Sequence, residues 1–272
     1  MHKPDYADFL ELASRYDYVP VCRRLLSDTH TPVSAFRCLD RGGPGCLFES
    51  VIGGEKVGRY SFLATEPVKR FSALGKNVTV SQAGSETSLV CDDPLDELRK
   101  HFVVSVAPVP GLPPFIGGAI GYAGYDVVRY VESLPNAPAD DRGLPDLDFS
   151  FYETMLVFDN VQKTLTLVTL AQGKDAAPDA SYEAATARLN DFVARLSEPP
   201  PPPSVELCPT PTPVALEVTS NFTREQFRAA VEHCVQYIKA GDIFQVVPSQ
   251  RFSIQTNVSP IEIYRSLRVV NP

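Results

Sequence analysis

Several functional classes leave no mark on this chain. None of its six cysteines (Cys22, Cys38, Cys46, Cys91, Cys208 and Cys234) forms a CxxC pair. They read as plain buried or surface thiols, neither metal ligands nor disulfides. The four histidines, His2, His30, His101 and His233, are scattered and show no HExxH spacing, so no zinc site is expected. No run of Lys or Arg occurs, and the formal net charge is -8. That balance argues against nucleic-acid or anionic-membrane partners, which recruit basic patches. A small anionic substrate stays open, because a local cationic pocket can sit in an acidic protein. The N-terminal MHKPDYADFLELASRY has acidic residues and no apolar h-region, unlike a signal peptide. No stretch approaches the roughly 18 apolar residues of a membrane span. A cytoplasmic protein is expected.

What is present suits a globular chain. Of its 272 residues, 44% are hydrophobic and 21% charged, enough for a sizeable core. The clearest boundary is the proline run Pro199 to Pro203, followed by Pro209, Pro211 and Pro213. Such a stretch favours an extended, stiff spacer. It implies a front region over 1–196, a linker over 197–213 and a tail over 214–272.

The front region reads as α+β with mostly antiparallel sheets and packed helices. Phe9, Leu10, Ala13 and Tyr16 fit one face of a short helix. Cys46–Ile52, Arg59–Leu63 and Val78–Val80 are strand-like. Tyr152–Asp159 and Thr164–Leu170 flank a four-residue loop and predict a hairpin. Tyr182, Ala185, Leu189, Phe192, Val193 and Leu196 repeat at helical spacing and predict a helix over 179–196.

In the tail, Thr223 with Gln226 three residues on has the pattern of a capping box. Gly241 sits where a left-handed helix end belongs. A strand is expected over Ile243–Ile254, with Pro248 marking an edge or bulge. Ser259-Pro260-Ile261-Glu262 then opens another helix. A helix–strand–helix unit of about 55 residues buries its apolar faces poorly alone. The tail is therefore expected to be the start of a larger domain, and its uncovered apolar face is expected to make the chain marginal or aggregation-prone alone.

Three stretches invite functional readings. Gly117-Gly118-Ala119-Ile120-Gly121-Tyr122-Ala123-Gly124 fails the GxGxxG spacing, and no GK[ST] follows; it reads as a glycine strand where backbones approach closely. Leu47-Phe48-Glu49-Ser50 with Gly53-Gly54-Glu55-Lys56 is either a strand–turn–strand with solvated charges or a carboxylate, hydroxyl and ammonium set able to recognise an amino-acid zwitterion. Gln245, alternating with Phe244 and Val246, is either a core-edge hydrogen bonder or a site residue.

Four ordered segments carry a resemblance. They are Thr31-Pro32-Val33-Ser34-Ala35-Phe36, then CLFESVIGGEKVGRYSFLATEP over 46–67, then FIGGAIGYAGYDVVR over 115–129, and finally AGDIFQVVPSQRF within 223–252. Together they resemble component I, the large subunit, of the anthranilate synthase family of chorismate-utilising enzymes, over nearly the whole chain. The resemblance implies that family's fold, incomplete at the C-terminus. It implies a lyase that aminates chorismate, releases pyruvate and forms anthranilate in tryptophan biosynthesis. It also implies a glutamine amidotransferase subunit (component II) that delivers ammonia. Magnesium is the implied cofactor; its ligands, the catalytic His and Glu and the carboxylate-binding Arg are expected beyond residue 272. Within the chain, Gln245 is implied to line the chorismate pocket, where relatives that add water have a Lys able to act as general base. Glu49, Ser50 and Lys56 are implied to meet L-tryptophan as feedback inhibitor, with Phe48 departing from the family's LLES. The chain alone is expected to be inactive. Aminodeoxychorismate synthase component I shares the fold and is the near rival. The residue that separates the two branches lies past 272, and the LFES and GDIFQVV segments favour anthranilate synthase. A non-catalytic binding fragment is the other class of reading.

Overall fold

The computed structural model describes residues 2–49, 58–174, 176–199 and 216–270. The chain divides into two compact units, residues 1–202 and 203–272. The expected linker falls almost wholly outside the described residues.

The first unit runs, in chain order, α1 (Tyr6–Ala13), β1 (Tyr18–Leu26), α2 (Pro32–Leu39), β2 (Gly45–Phe48), β3 (Tyr60–Thr65), β4 (Lys69–Leu74), β5 (Asn77–Gln82), β6 (Ser85–Val90), α3 (Pro94–Lys100), β7 (Gly118–Ala123), a 3-10 turn (Tyr125–Tyr130), β8 (Leu147–Tyr152), β9 (Thr154–Asp159), β10 (Thr164–Gln172) and α4 (Pro178–Leu196). The strands form two five-stranded sheets, ordered β1-β10-β9-β3-β2 and β6-β5-β4-β8-β7. Every pairing between these strands is antiparallel. The α+β class read from the sequence is the observed one.

The predicted hairpin forms as β9 and β10, with Thr164 opposite Asp159. Its apolar run MLVF has no polar alternation because both faces of the strand are covered. Leu156 and Phe158 point into a core closed by three helices, through Phe9 of α1, Leu39 of α2 and Leu189 and Phe192 of α4. Met155 and Val157 point the other way, into a second cluster with Ala64, Tyr152 and Val168. The second sheet has its own core, where α3 lays Leu98 over Phe71, Val78 and Phe151. Each fully buried Leu or Phe contributes about 2 kcal/mol of transfer free energy.

Helix starts follow their local chemistry. In α2, the Thr31 hydroxyl accepts from the Ser34 amide at 3.1 Å, and the Ser34 hydroxyl accepts from the Thr31 amide at 2.9 Å; Pro32 takes the first helical position, where no N–H is needed. The helix expected over 179–196 is α4. Its buried apolar residues Ala185, Leu189, Phe192 and Leu196 are among those the spacing predicted, and Arg195 is buried beside them. In α1, Phe9 and Ala13 are buried, whereas Leu10 faces water.

The glycine segment forms β7, packed as a strand. A Cβ on Gly121 would lie 1.9 Å from the Asp148 carbonyl oxygen on β8. Only glycine lets the two backbones approach that closely.

The second unit contains β11 (Val218–Ser220), α5 (Arg224–Ala240), β12 (Phe252–Ile254) and α6 (Pro260–Val270). The capping box forms as read: Thr223 Oγ1 accepts from the Gln226 amide at 3.2 Å, and Gln226 Oε1 accepts from the Thr223 amide at 2.8 Å. Gly241 ends α5 at φ 84°. The strand expected over Ile243–Ile254 is a correction. Only Phe252–Ile254 is extended and paired, with β11 as its partner. Pro248 has no N–H for a ladder, and β11 offers just three residues to pair with. No residue of β11, α5, β12 or α6 is buried. Val231, Val235 and Ile238 of α5 stand exposed on the stripe that would face a core.

Candidate functional site

Glu49 directly follows β2, the edge strand of the first sheet, and is half-buried. Cys46 and Leu47 pair with Ala64 and Leu63 of β3 and point into opposite cores. The bulkier Phe48 lies opposite Phe62 and is exposed. Ser50 and Lys56 lie outside the described residues, so the three expected inhibitor contacts are located only through Glu49.

The chain re-enters the described structure at Gly58, where the turn of the β9–β10 hairpin clamps it. Arg59 donates from Nε at 3.0 Å and from its terminal nitrogen at 2.6 Å, both to Asp159 Oδ2. The other carboxylate oxygen accepts from the amides of Val161 and Gln162 at 3.0 and 2.9 Å. Burial alone would push the Asp159 carboxyl up. The Arg59 hydrogen bond, the two amides and the guanidinium charge outweigh it and hold the carboxyl below the ordinary aspartate range. Asn160 completes the clamp: its amide donates to Arg59 O at 2.8 Å and its side chain to Gly58 O at 3.3 Å. Beside this clamp, Arg24, Tyr60, Gly111, Leu112 and Thr166 border a cavity of about 250 Å³. Arg24 donates to the Gly111 carbonyl across it at 2.6 Å.

Gln245 lies exposed in a segment without regular structure between α5 and β12. The alternation expected of a strand is absent there: Phe244 is 93% exposed and Val247 79%. Among the described residues, no group of three or more His, Cys, Asp or Glu side chains could hold a metal ion. These residues do not fit a magnesium centre.

Sequence reasoning missed the Arg59–Asp159 clamp. The only local sign was Asp159-Asn160, a pair typical of turn entry; nothing marked Arg59 as its partner. It also missed a polar cluster on the second sheet. There Lys69 Nζ lies 3.1 Å from His101 Nδ1 and 4.2 Å from the Phe151 ring centre. Burial lowers the pKa of both Lys69 and His101.

Comparison with known proteins places this architecture. The chain is 36% identical to the chloroplastic anthranilate synthase alpha subunit 2 of Arabidopsis thaliana, across 100% of this chain and 47% of that one. It is 34% identical to anthranilate synthase component 1 of Acetivibrio thermocellus, across 100% and 56%, and 38% identical to that of Pseudomonas aeruginosa, across 97% and 54%. The crystal structure of anthranilate synthase component I from Streptococcus pneumoniae superposes with a TM-score of 0.60 at 30% identity, covering 92% of this chain and 53% of that one. The chain spans about half the length of the curated relatives it matches. No helix among the described residues is long and apolar enough to cross a membrane. The sequence model for chorismate binding enzymes matches residues 49–272, and the chain belongs to that family.

Proposed function

We propose that this chain is the front part of an anthranilate synthase large subunit acting in the cytoplasm. The observation that carries the reading is the match of relatives so named along 97–100% of the chain at 34–38% identity. The reaction of the whole protein is the amination of chorismate with loss of pyruvate, which makes it a lyase. Ammonia comes from glutamine through an amidotransferase subunit. Gln245 belongs to the chorismate pocket of the whole protein. Its amide can donate and accept, so it orients the nucleophile without taking a proton. Glu49, Ser50 and Lys56 hold L-tryptophan as the feedback inhibitor. Glu49 stands at the mouth of the segment that carries the other two.

The test uses the reading frame extended past residue 272, purified with its amidotransferase subunit. Chorismate and glutamine are expected to give anthranilate fluorescence, suppressed by L-tryptophan. Glu49→Ala should relieve the suppression while turnover remains. Gln245→Lys should lose at least about tenfold in amination. The 272 residues alone should give no product. Aminodeoxychorismate as product would overturn the assignment, and turnover by the 272-residue chain would overturn the dependence on the rest of the protein.

A further inference from the structure

We propose that the cleft between the C-terminal end of β10 and the first half of α4 binds an α-amino acid, its ammonium on Glu153 and its carboxylate on Arg188. The cleft measures about 460 Å³. It lies apart from Glu49, since β9 and β3 separate β10 from β2 in the first sheet. The proposal therefore stands independently of the feedback reading.

The two charges are placed by different parts of the fold. Glu153 occupies the single-residue step between β8 and β9, where the chain passes from one sheet to the other. Its backbone is fixed there, because the Leu170 amide donates to its carbonyl at 2.8 Å. Arg188 stands on α4 between the buried Ala185 and Leu189, and so at the margin of the face that packs on the sheet. Both side chains are half-buried and both border the cleft.

Neither charge has a close partner among the described residues. Among the described residues, no hydrogen bond or ion pair involves the Glu153 carboxylate or the Arg188 guanidinium. Their neighbours are otherwise engaged. Thr169 shares a hydroxyl hydrogen bond with Thr154 at 2.8 Å. The Ser181 hydroxyl donates to the Gln172 carbonyl at 2.5 Å. Lys69, the other cation near Glu153, is held against the Phe151 ring and His101. Burial pushes the Glu153 carboxyl above the ordinary glutamate range, and Arg188 and then Lys69 only partly counter it.

A desolvated carboxylate and guanidinium in one cleft gain most by pairing. Here the Arg188 charge acts on Glu153 without an ion pair forming, so a ligand carrying both signs can satisfy both groups. The cleft is also lined by Ala171, Ala180 and Ala184, whose small methyl groups leave room for an apolar side chain. A simple anion would leave Glu153 unpaired, and a simple cation would leave Arg188 unpaired.

The test is calorimetric titration of the full 272-residue chain with the proteinogenic L-amino acids. The same compounds are then titrated with the carboxyl group amidated or the amino group acetylated. At least one free amino acid should bind, and either modification should weaken it about tenfold, the loss of one half-exposed charge contact. Glu153→Gln and Arg188→Gln should each weaken it to a similar extent, with the helical circular dichroism unchanged. Glu49→Ala should leave intact the binding of amino acids other than L-tryptophan, which Glu49 is itself proposed to hold. The analogue series uses unaltered protein and decides the matter even if a variant misfolds. Absence of binding by any amino acid, equal binding of amidated or acetylated forms, or dependence on Glu49 in place of Glu153 would overturn the proposal.

Discussion

Replacing Gly121 by alanine is expected to prise β7 from β8 and destabilise the first unit by about 3 kcal/mol, the upper range for overpacking at a site that cannot relax. The new Cβ would lie 1.9 Å from Asp148 O, 2.7 Å from Phe149 Cα and 2.8 Å from Asp148 C, all backbone atoms. No rotamer change can relieve a clash with backbone, so the strand itself must shift. Gly121 is paired opposite Phe149, in the middle of the six-residue ladder between β7 and β8. Gly124→Ala is the control, because a Cβ there meets nothing nearer than 3.4 Å. Urea unfolding followed by circular dichroism, with amide exchange over residues 118–123, reads both variants. Equal midpoints for the two would refute the packing argument.

Asp159→Asn should lower stability at neutral pH by about 2 kcal/mol, on the scale of hydrogen bonds to a charged group. The carboxylate is nearly buried and receives two donors from Arg59 and two backbone amides. An asparagine offers one oxygen where the wild type offers two. Its pH dependence has a definite sign. The folded carboxyl titrates below the ordinary value near 3.9. Its stabilising contribution is thus complete above about pH 4 and is lost as pH falls through the lower, folded value. Acid unfolding of the wild type should therefore be steeper than that of the variant. The two stability curves should converge at low pH. Parallel curves would show that the clamp does not couple to ionisation.

Much of the fold was legible because its signals are local. The β9–β10 hairpin announced itself through two apolar runs and a short loop. Thr223 with Gln226, and Gly241, marked both ends of α5 by chemistry contained within one turn. The glycine segment was correctly refused as a phosphate loop on spacing alone. The strand over 243–254 failed because strand formation needs a partner, and apolar composition cannot supply one. Phe244, Val246 and Val247 have high β-propensity but meet no neighbouring strand. Clusters assembled over long sequence distances were not legible at all. Arg59 meets Asp159 through the pairing of β3 with β9, and Glu153 and Arg188 border one cleft only because α4 folds back along β10. Gln245 and Glu49 take their expected roles from resemblance; their immediate neighbours left a bland reading of each equally open.

The order of strands in the first sheet also sets a timetable for synthesis. β1 leaves the ribosome early, yet its partner is β10: Tyr18 pairs with Gln172 and Leu26 with Thr164. β3 likewise waits for β9, and β4 has β8 on one side. The local meander of β4, β5 and β6 and the pair β2–β3 can close as they emerge. The long-range pairings incur the loop-closure entropy before any ladder energy returns, which makes them slow and keeps the early strands' edges open. The β8–β9–β10 stretch is therefore a keystone delivered late. A nascent chain halted before it holds α1, α2 and α3 with three of the five strands of the first sheet and four of the five of the second, but lacks the strands that join them, and is a natural client for holding chaperones.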